Sequence, residues 1–198
     1  MAKQFFDPEK TALLLLDLQA GLMMQLPNHP ILDKAAAAIT TARKHGVQIA
    51  HIRVALDDAE AQAVPAKNVA FSALIADPKR LAMMSPDAPT TQFHEKVKPQ
   101  EGDLVQRKVR YGPFMVNPSK VMLEDFEKNG VDTIILGGVS TSGAVLSAVR
   151  QLADLDFGLV VVEDCCADAD EEVHRVLVRK VFPKQAKVVK CEELEGLF

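Results

Sequence analysis

An aspartate and a lysine occupy the positions where an α/β protein would place its chemistry. Asp17 ends a run of leucines, and Lys108 lies near the end of the extended segment Asp103–Arg110. In an open sheet of parallel strands, ligands bind beyond the carboxyl ends of the strands. A carboxylate beside a leucine run is partly desolvated and needs a partner, for which Lys108 is the candidate. The two residues predict a proton-transfer unit, with a plain ion pair or a helix cap as the alternatives.

A second candidate site is the turn Gly137–Ala144, which is rich in glycine and serine and opens a helix. Backbone N–H groups at the start of a helix attract anions, so the turn predicts an oxyanion hole or a cradle for a carboxylate. The competing interpretation is a tight turn with Ser142 as the helix cap. The glycines lack the G-x-G-x-x-G spacing of a dinucleotide site, and the chain has no phosphate-loop motif.

The cysteines and histidines give weaker signals. Cys165 and Cys166 follow Glu163 and Asp164 at the expected end of the fifth strand and do not form a C-x-x-C motif. For each of them, a small buried side chain is the favoured interpretation over a nucleophile. Cys191 is a weaker candidate nucleophile than either. No two histidines have the spacing of metal ligands. We therefore expect neither a metal nor another cofactor.

Alternating strands and helices must position these residues. Apolar, β-branched segments are typical of parallel strands that are buried on both faces. The expected strands are Thr11–Asp17, Val47–Ala55, Asp103–Arg110, Val131–Val139, Phe157–Cys165 and a short one within Lys184–Cys191. The expected helices are Ile31–His45, Pro118–Asn129 with Asn117 as its N-cap, Gly143–Leu155 and Asp170–Phe182. This alternation predicts a doubly wound α/β fold with six parallel strands and helices on both faces.

The segment 57–102 interrupts this pattern with five prolines and mixed polarity. We predict long loops there with one short helix near Ala70–Ala76. An irregular stretch of this length is more often functional than idle. Phe71, Arg80 and Gln92 are its candidates for ligand contacts, against a surface or core role for each.

Composition excludes several classes of protein. The 198 residues suit a single domain spanning 1–198, and 48% hydrophobic with 25% charged residues is ordinary for a globular protein. The formal net charge of −4 argues against a non-specific nucleic-acid binder. Apolar runs such as Ala12–Leu16 fall far short of the roughly 20 residues of a membrane-spanning helix. With no visible secretory signal and three cysteines, the chain is expected to be cytoplasmic with reduced thiols.

Three segments, in order, resemble the isochorismatase-like hydrolases, which are also called cysteine hydrolases. They are LLLLDLQAGL (13–22), DLVQRKVRYGPF (103–114) and the long segment that runs from IILGGVSTSG to VRKVF (134–182). The resemblance covers nearly the whole chain and implies a six-stranded parallel sheet, a small-molecule substrate and a homodimer or homotetramer. The usual catalytic residues of this family are Asp, Lys and Cys, and the first two match Asp17 and Lys108.

The family's cysteine opens the helix after the G-V-x-T turn, where this chain has Ala144. Without a thiolate at that position, hydrolysis through a thioester is not available. True isochorismatases also carry a small residue there. The resemblance to them implies acid-catalysed cleavage of the vinyl ether of isochorismate, in which water adds and pyruvate leaves. Their Tyr-x-His segment is absent, because Ser140–Ser142 takes its place.

The resemblance also implies which residues line the site. Val139, Ser140, Ser142 and Gly143 are expected to contact the substrate, with a cis peptide bond between the first two. The zinc site of nicotinamidases is not expected, because residues 57–60 after the second strand offer no histidine.

The sequence leaves three hypotheses open. The first is a cysteine-independent hydrolase of a small carboxylated substrate, such as isochorismate, with Asp17 and Lys108 as the catalytic pair. The second is a non-catalytic binding or scaffold protein that kept the fold after losing its nucleophile. The third is an amide hydrolase that uses Cys165 or Cys166, and it is the weakest because those residues lie beyond the next strand.

Overall fold

A computed structural model describes residues 6–116 and 118–198 of the chain, and six parallel strands form its central sheet. The strands are β1 (Thr11–Leu16), β2 (Gln48–Val54), β3 (Leu104–Lys108), β4 (Thr133–Val139), β5 (Gly158–Ala167) and β6 (Lys187–Val189). Their spatial order is β3-β2-β1-β4-β5-β6, and every adjacent pair is parallel. The doubly wound α/β fold is therefore confirmed. The strand order reverses between β1 and β4, which is where such sheets open a ligand crevice.

Helices cover both faces of this sheet. They are α1 (Ala20–Met23), α2 (Ile31–Lys44), α3 (Asp58–Gln62), α4 (Val69–Ile75), α5 (Pro78–Met83), α6 (Val121–Lys128), α7 (Leu146–Ala153) and α8 (Glu171–Val176). Two π-helical turns, Thr141–Val145 and Leu177–Val181, and several 3-10 turns complete the set. No helix in the described ranges is long and apolar enough to cross a membrane.

The continuous apolar run of β1 is explained by burial on both faces. Leu14 and Leu16 belong to the core beneath α6, α7 and α8, whereas Leu13 and Leu15 belong to the core beneath α2. Successive side chains of a strand point to opposite faces, so each leucine alternately fills one core or the other. Every residue of β1 is buried as a result.

The segment 57–102 contains more helix than expected, because α3 and α5 accompany the expected α4. Asp57 and Glu60 form a capping box at the start of α3, and Asp77 caps α5 with Pro78 at its first position. Both signals are readable in the sequence, but each helix is short and has little apolar periodicity. A small third core, formed by Leu56, Val64, Phe71 and Val109, holds this segment together.

Several expected boundaries differ from those of the structure. The helix expected from Pro118 begins at Val121, and its expected N-cap Asn117 lies outside the described residues. The helix expected from Asp170 to Phe182 gives way to a π-helical turn after Val176. Strand β5 continues to Ala167, because a bulge against β4 pairs Leu136 with Val161 but Gly138 with Cys166.

Candidate active site

Asp17 leaves β1 at the crevice between β1 and β4. Its backbone has φ 57°, in the left-handed region that aspartate tolerates better than most residues, and its N–H donates to Ile52 O (2.8 Å). This conformation ends the strand and leaves the side chain at the wall of a cavity of about 340 Å³. Only 4% of the residue is exposed to solvent.

Lys108 reaches Asp17 from β3, across the intervening strand β2. Its Nζ lies 2.7 Å from Asp17 Oδ2 and donates to the carbonyl oxygens of Arg110 (3.0 Å) and Tyr111 (3.1 Å). An ammonium group has three N–H donors, and these three acceptors engage all of them. Lys108 is therefore fixed as a counter-charge to Asp17 and keeps no N–H for a ligand.

The second oxygen of Asp17 has a different environment. Asp17 Oδ1 is buried and has no hydrogen-bond partner among the described residues. Burial raises the pKa of the Asp17 carboxyl above its ordinary value, and the charge of Lys108 opposes this shift without cancelling it. A carboxyl whose pKa is raised retains its proton to higher pH, which suits a general acid.

The raised pKa predicts how stability depends on pH. The folded-state pKa of Asp17 lies above its value in the unfolded chain, so its contribution to stability is fully present below the unfolded pKa. It is lost as the pH rises through the folded pKa. We expect the free energy of unfolding of the wild type, relative to Asp17→Asn, to fall as the pH rises above about 4, the ordinary pKa of an aspartate. Urea unfolding at a series of pH values measures this, and a difference independent of pH would contradict it.

The turn after β4 is anchored by its own polar groups. The Val139–Ser140 peptide bond is cis, as the resemblance implied. The amide N–H groups of Gly143 and Val145 both donate to Ser140 O (3.1 and 3.2 Å), and the Ser142 amide donates to Asp168 Oδ2 (2.8 Å). The turn therefore satisfies three of its amides with acceptors of this chain.

The structure brings most of the expected site residues to the cavity. Asp17, Lys108, Val139, Ser140 and Ala144 line it. The side chain that Ala144 contributes to this lining is only a methyl group. The cavity thus combines a buried acid, a fixed cation and a wall without a nucleophilic side chain at that position.

Ser142 and Gly143 lie outside the lining of the cavity. Ser142 is exposed, and its backbone rather than its side chain makes the contact with Asp168. A Cβ on Gly143 would lie 2.7 Å from Ser140 Oγ and 3.1 Å from the Tyr111 ring. Gly143 therefore permits the close packing that places Ser140 and Tyr111 at the cavity.

Sequence reasoning missed several residues of the wall. Asp168 and Ala169 follow the true end of β5, whereas Glu163 and Asp164 lie inside the strand and are ion-paired with Arg179 and Lys34. The rule that selects strand ends would have found Asp168 if the bulge in β5 had been foreseen. Leu22, Gln25 and Leu26, just after Asp17 in the chain, also line the cavity, and no sequence signal marked them.

Of the three candidates from the segment 57–102, one lines the cavity and two do not. Phe71 lines the cavity, where its ring meets Tyr111 edge to face with the centroids 5.4 Å apart. Arg80 is ion-paired with Asp77 on the surface. The Gln92 side chain donates to the carbonyl oxygens of Pro86 and Ala88 and holds its own loop.

The cysteines are buried away from the cavity wall. Cys165 and Cys166 are each 1% exposed, and neither lines the cavity. Burial raises the pKa of Cys166 to about 12. A hydrogen bond with Cys191, together with burial, raises the pKa of Cys165. Neither thiol is poised to ionise, so the geometry gives the third hypothesis no support.

Comparison with known proteins points to one family. The sequence model described as the isochorismatase domain matches residues 11–193. An uncharacterized isochorismatase family protein of Escherichia coli O157:H7 is 29% identical over 201 aligned positions, covering 95% of this chain and 96% of the relative. Maleamate amidohydrolase of Pseudomonas putida is 24% identical, over 91% of this chain and 83% of that enzyme.

A solved structure of a cysteine hydrolase from Pseudomonas syringae has the same fold. It superposes with a TM-score of 0.83 at 17% identity and covers 98% of this chain and 94% of its own. Since the match to the domain model extends over nearly the whole chain, from β1 to the last helical turn, it identifies the family of the protein. The chain belongs to the isochorismatase family of hydrolases.

Proposed function

We propose that the protein hydrolyses a small molecule by general acid catalysis, with Asp17 as the acid and without a covalent enzyme intermediate. The observation that carries this proposal is the buried Asp17 carboxyl in the cavity lining, whose Oδ1 has no hydrogen-bond partner among the described residues. A buried carboxyl oxygen without a partner costs free energy and contributes nothing to folding. A scaffold role gives no reason to retain such a group. In an enzyme, the same group can act on the substrate.

The proposed reaction proceeds in three steps. For an enol ether, the proton on Asp17 adds to the terminal carbon of the double bond, whose π electrons form the new C–H bond and leave an oxocarbenium ion. Water attacks this cation and gives its proton to the Asp17 carboxylate. The reprotonated Asp17 then gives its proton to the alkoxy oxygen of the hemiketal. The bond from carbon to that oxygen breaks, the hydroxyl group returns its proton to Asp17, and a ketone and an alcohol are released.

Lys108 acts on Asp17 and not on the substrate in this proposal. Its ammonium group lies 2.7 Å from Asp17 Oδ2, so it stabilises the carboxylate that remains after the proton has been transferred. The same contact orients Oδ1, the free oxygen, for proton donation. Ala144 leaves room at the wall where a thiol would otherwise attack.

The contacts of Lys108 argue against a carboxylated substrate. The sequence favoured a small carboxylated molecule such as isochorismate, but the cation in the cavity lining, Lys108, has its three N–H groups engaged. A carboxylate next to Asp17 would lack a charged partner there. Isochorismate is therefore only one member of the substrate panel that tests the proposal.

A panel of substrates tests the proposal. The wild type would be incubated with isochorismate, with ethyl vinyl ether, with phenylacetamide and with maleamate, the last because the P. putida relative is named for it. We expect hydrolysis of at least one substrate by the wild type. A cysteine-free variant, Cys165→Ala/Cys166→Ala/Cys191→Ala, is expected to keep that activity within a few-fold, with no enzyme adduct in its mass spectrum.

Two outcomes would contradict the proposal. Loss of activity in a cysteine-free variant that melts like the wild type would favour the cysteine-dependent hypothesis. Absence of turnover with every substrate would favour a binding or scaffold protein.

Location and assembly stay predictions of the sequence. The expected location is the cytoplasm, and the expected assembly is a homodimer or homotetramer. Light scattering coupled to size-exclusion chromatography measures the assembly.

A further inference from the structure

The polar groups of the cavity lining identify the charge that the site accepts. They come from six side chains, and the remaining lining residues are apolar. These six are Asp17, Gln25, Lys108, Tyr111, Ser140 and Asp168. The set contains two carboxyl groups and one ammonium group, and the ammonium group already serves Asp17. Among the described lining residues, no cationic side chain has an N–H free for a substrate carboxylate.

Asp168 strengthens this conclusion because it occupies the place where an anion would bind. Its Oδ2 accepts the Ser142 amide (2.8 Å) at the start of the helical segment that runs from Thr141 into α7. The start of a helix is a favourable position for a negative charge. A carboxylate of the chain itself fills that position, so a substrate carboxylate would meet an occupied site and a like charge.

The rest of the wall is suited to an apolar body. Leu26, Phe71, Leu74 and Met84 face the same cavity, which at about 340 Å³ holds a molecule of small aromatic size. An uncharged molecule pays little to leave water for such a wall, whereas a carboxylate loses its hydration and gains no cation.

We propose that Asp168 makes the site selective for uncharged, largely apolar substrates by excluding carboxylates from the turn after β4. The proposal rests on the proposed function for the reaction, and it names the substrate class of that same site. It replaces the carboxylated substrate favoured by the sequence. Asp168 is a specificity-determining residue and takes no part in proton transfer.

Binding of two matched probes tests the proposal without turnover. Phenylacetamide and phenylacetate have nearly the same shape and differ in charge, and NMR titration of the wild type at neutral pH gives the dissociation constant of each. We expect phenylacetamide to bind at least tenfold more tightly, because a like charge within the span of the cavity costs more than a tenfold change in affinity at an effective dielectric constant of about 20.

The variant Asp168→Asn isolates the charge, because an asparagine oxygen can still accept the Ser142 amide. In this variant we expect the preference for phenylacetamide to fall about tenfold, mainly through tighter binding of phenylacetate. The matched control is Glu163→Gln, which removes a carboxylate of β5 that is paired with Arg179 outside the cavity. This control is expected to keep the wild-type preference.

Several results would overturn the proposal. They are equal binding of the two probes to the wild type, an unchanged preference in Asp168→Asn, and failure of the wild type to bind phenylacetamide at millimolar concentration. The outcome is distinguishable from failure of the proposed function. A protein that prefers phenylacetamide but hydrolyses nothing would keep this inference and lose the catalytic proposal.

Discussion

Replacement of Asp17 by asparagine is expected to slow hydrolysis by about 10²- to 10⁴-fold, the usual contribution of a general acid. Asparagine keeps the size of the side chain and can still accept a hydrogen bond from Lys108, but it has no proton to transfer to carbon or oxygen. The loss should therefore appear in kcat, with KM little changed. Steady-state kinetics on whichever substrate the panel identifies would measure both constants.

The control for this experiment is Asp164→Asn. Asp164 also forms an ion pair with a lysine, since its Oδ2 lies 3.1 Å from Lys34 Nζ, but it does not line the cavity. Its replacement is expected to leave kcat within a few-fold of the wild type. Equal rates in the wild type and the Asp17→Asn variant would remove Asp17 from the mechanism, whatever the substrate.

Replacement of Lys108 by methionine is expected to lower the free energy of unfolding by about 3–5 kcal/mol near neutral pH, the typical cost of breaking a buried ion pair. The side chains of Lys108 and Asp17 are 2% and 5% exposed, so solvent cannot compensate for the lost cation. Two backbone carbonyl oxygens, those of Arg110 and Tyr111, also lose their donor. Urea unfolding of both proteins measures the difference.

The pH dependence and a second variant make this prediction specific. In Lys108→Met, Asp17 can lose its unpaired negative charge by taking up a proton. The loss of stability in this variant should therefore be smaller at acidic pH. Adding Asp17→Asn to Lys108→Met removes the uncompensated charge and should recover part of the stability. The pair of Lys34 and Asp164, which is more exposed, gives the control, since Lys34→Met should cost no more than about 1 kcal/mol. Losses of equal size for Lys34→Met and Lys108→Met would contradict the prediction.

The rule that ligands meet the carboxyl ends of parallel strands located the centre of the site from sequence alone. It selected Asp17, Lys108 and the turn at Ser140, which the structure places around one cavity. The rule needs only the order of strands and helices, which the apolar pattern supplies. It failed for Asp168 because the bulge in β5 moves the end of that strand beyond Cys165.

The remaining wall could not be predicted for a different reason. Phe71 was a candidate for the wall, but Leu74 and Met84 reach the cavity only through the folding of the segment 57–102 onto the sheet. That folding depends on contacts among residues distant in sequence, which periodicity does not report. The opposite error occurred at Ser142 and Gly143, where the turn was located correctly but the direction of its side chains depends on the backbone conformation.

The small third core has a consequence for motion. Leu56, Val64, Phe71 and Val109 form a cluster separate from the two large cores that flank the sheet. Segments with few buried apolar contacts open locally at lower free energy than a central sheet does. The wall that α4 contributes can therefore loosen and reclose around an entering molecule while β1 and β4 keep Asp17 in place. Amide protons of α4 would exchange with solvent long before those of β1.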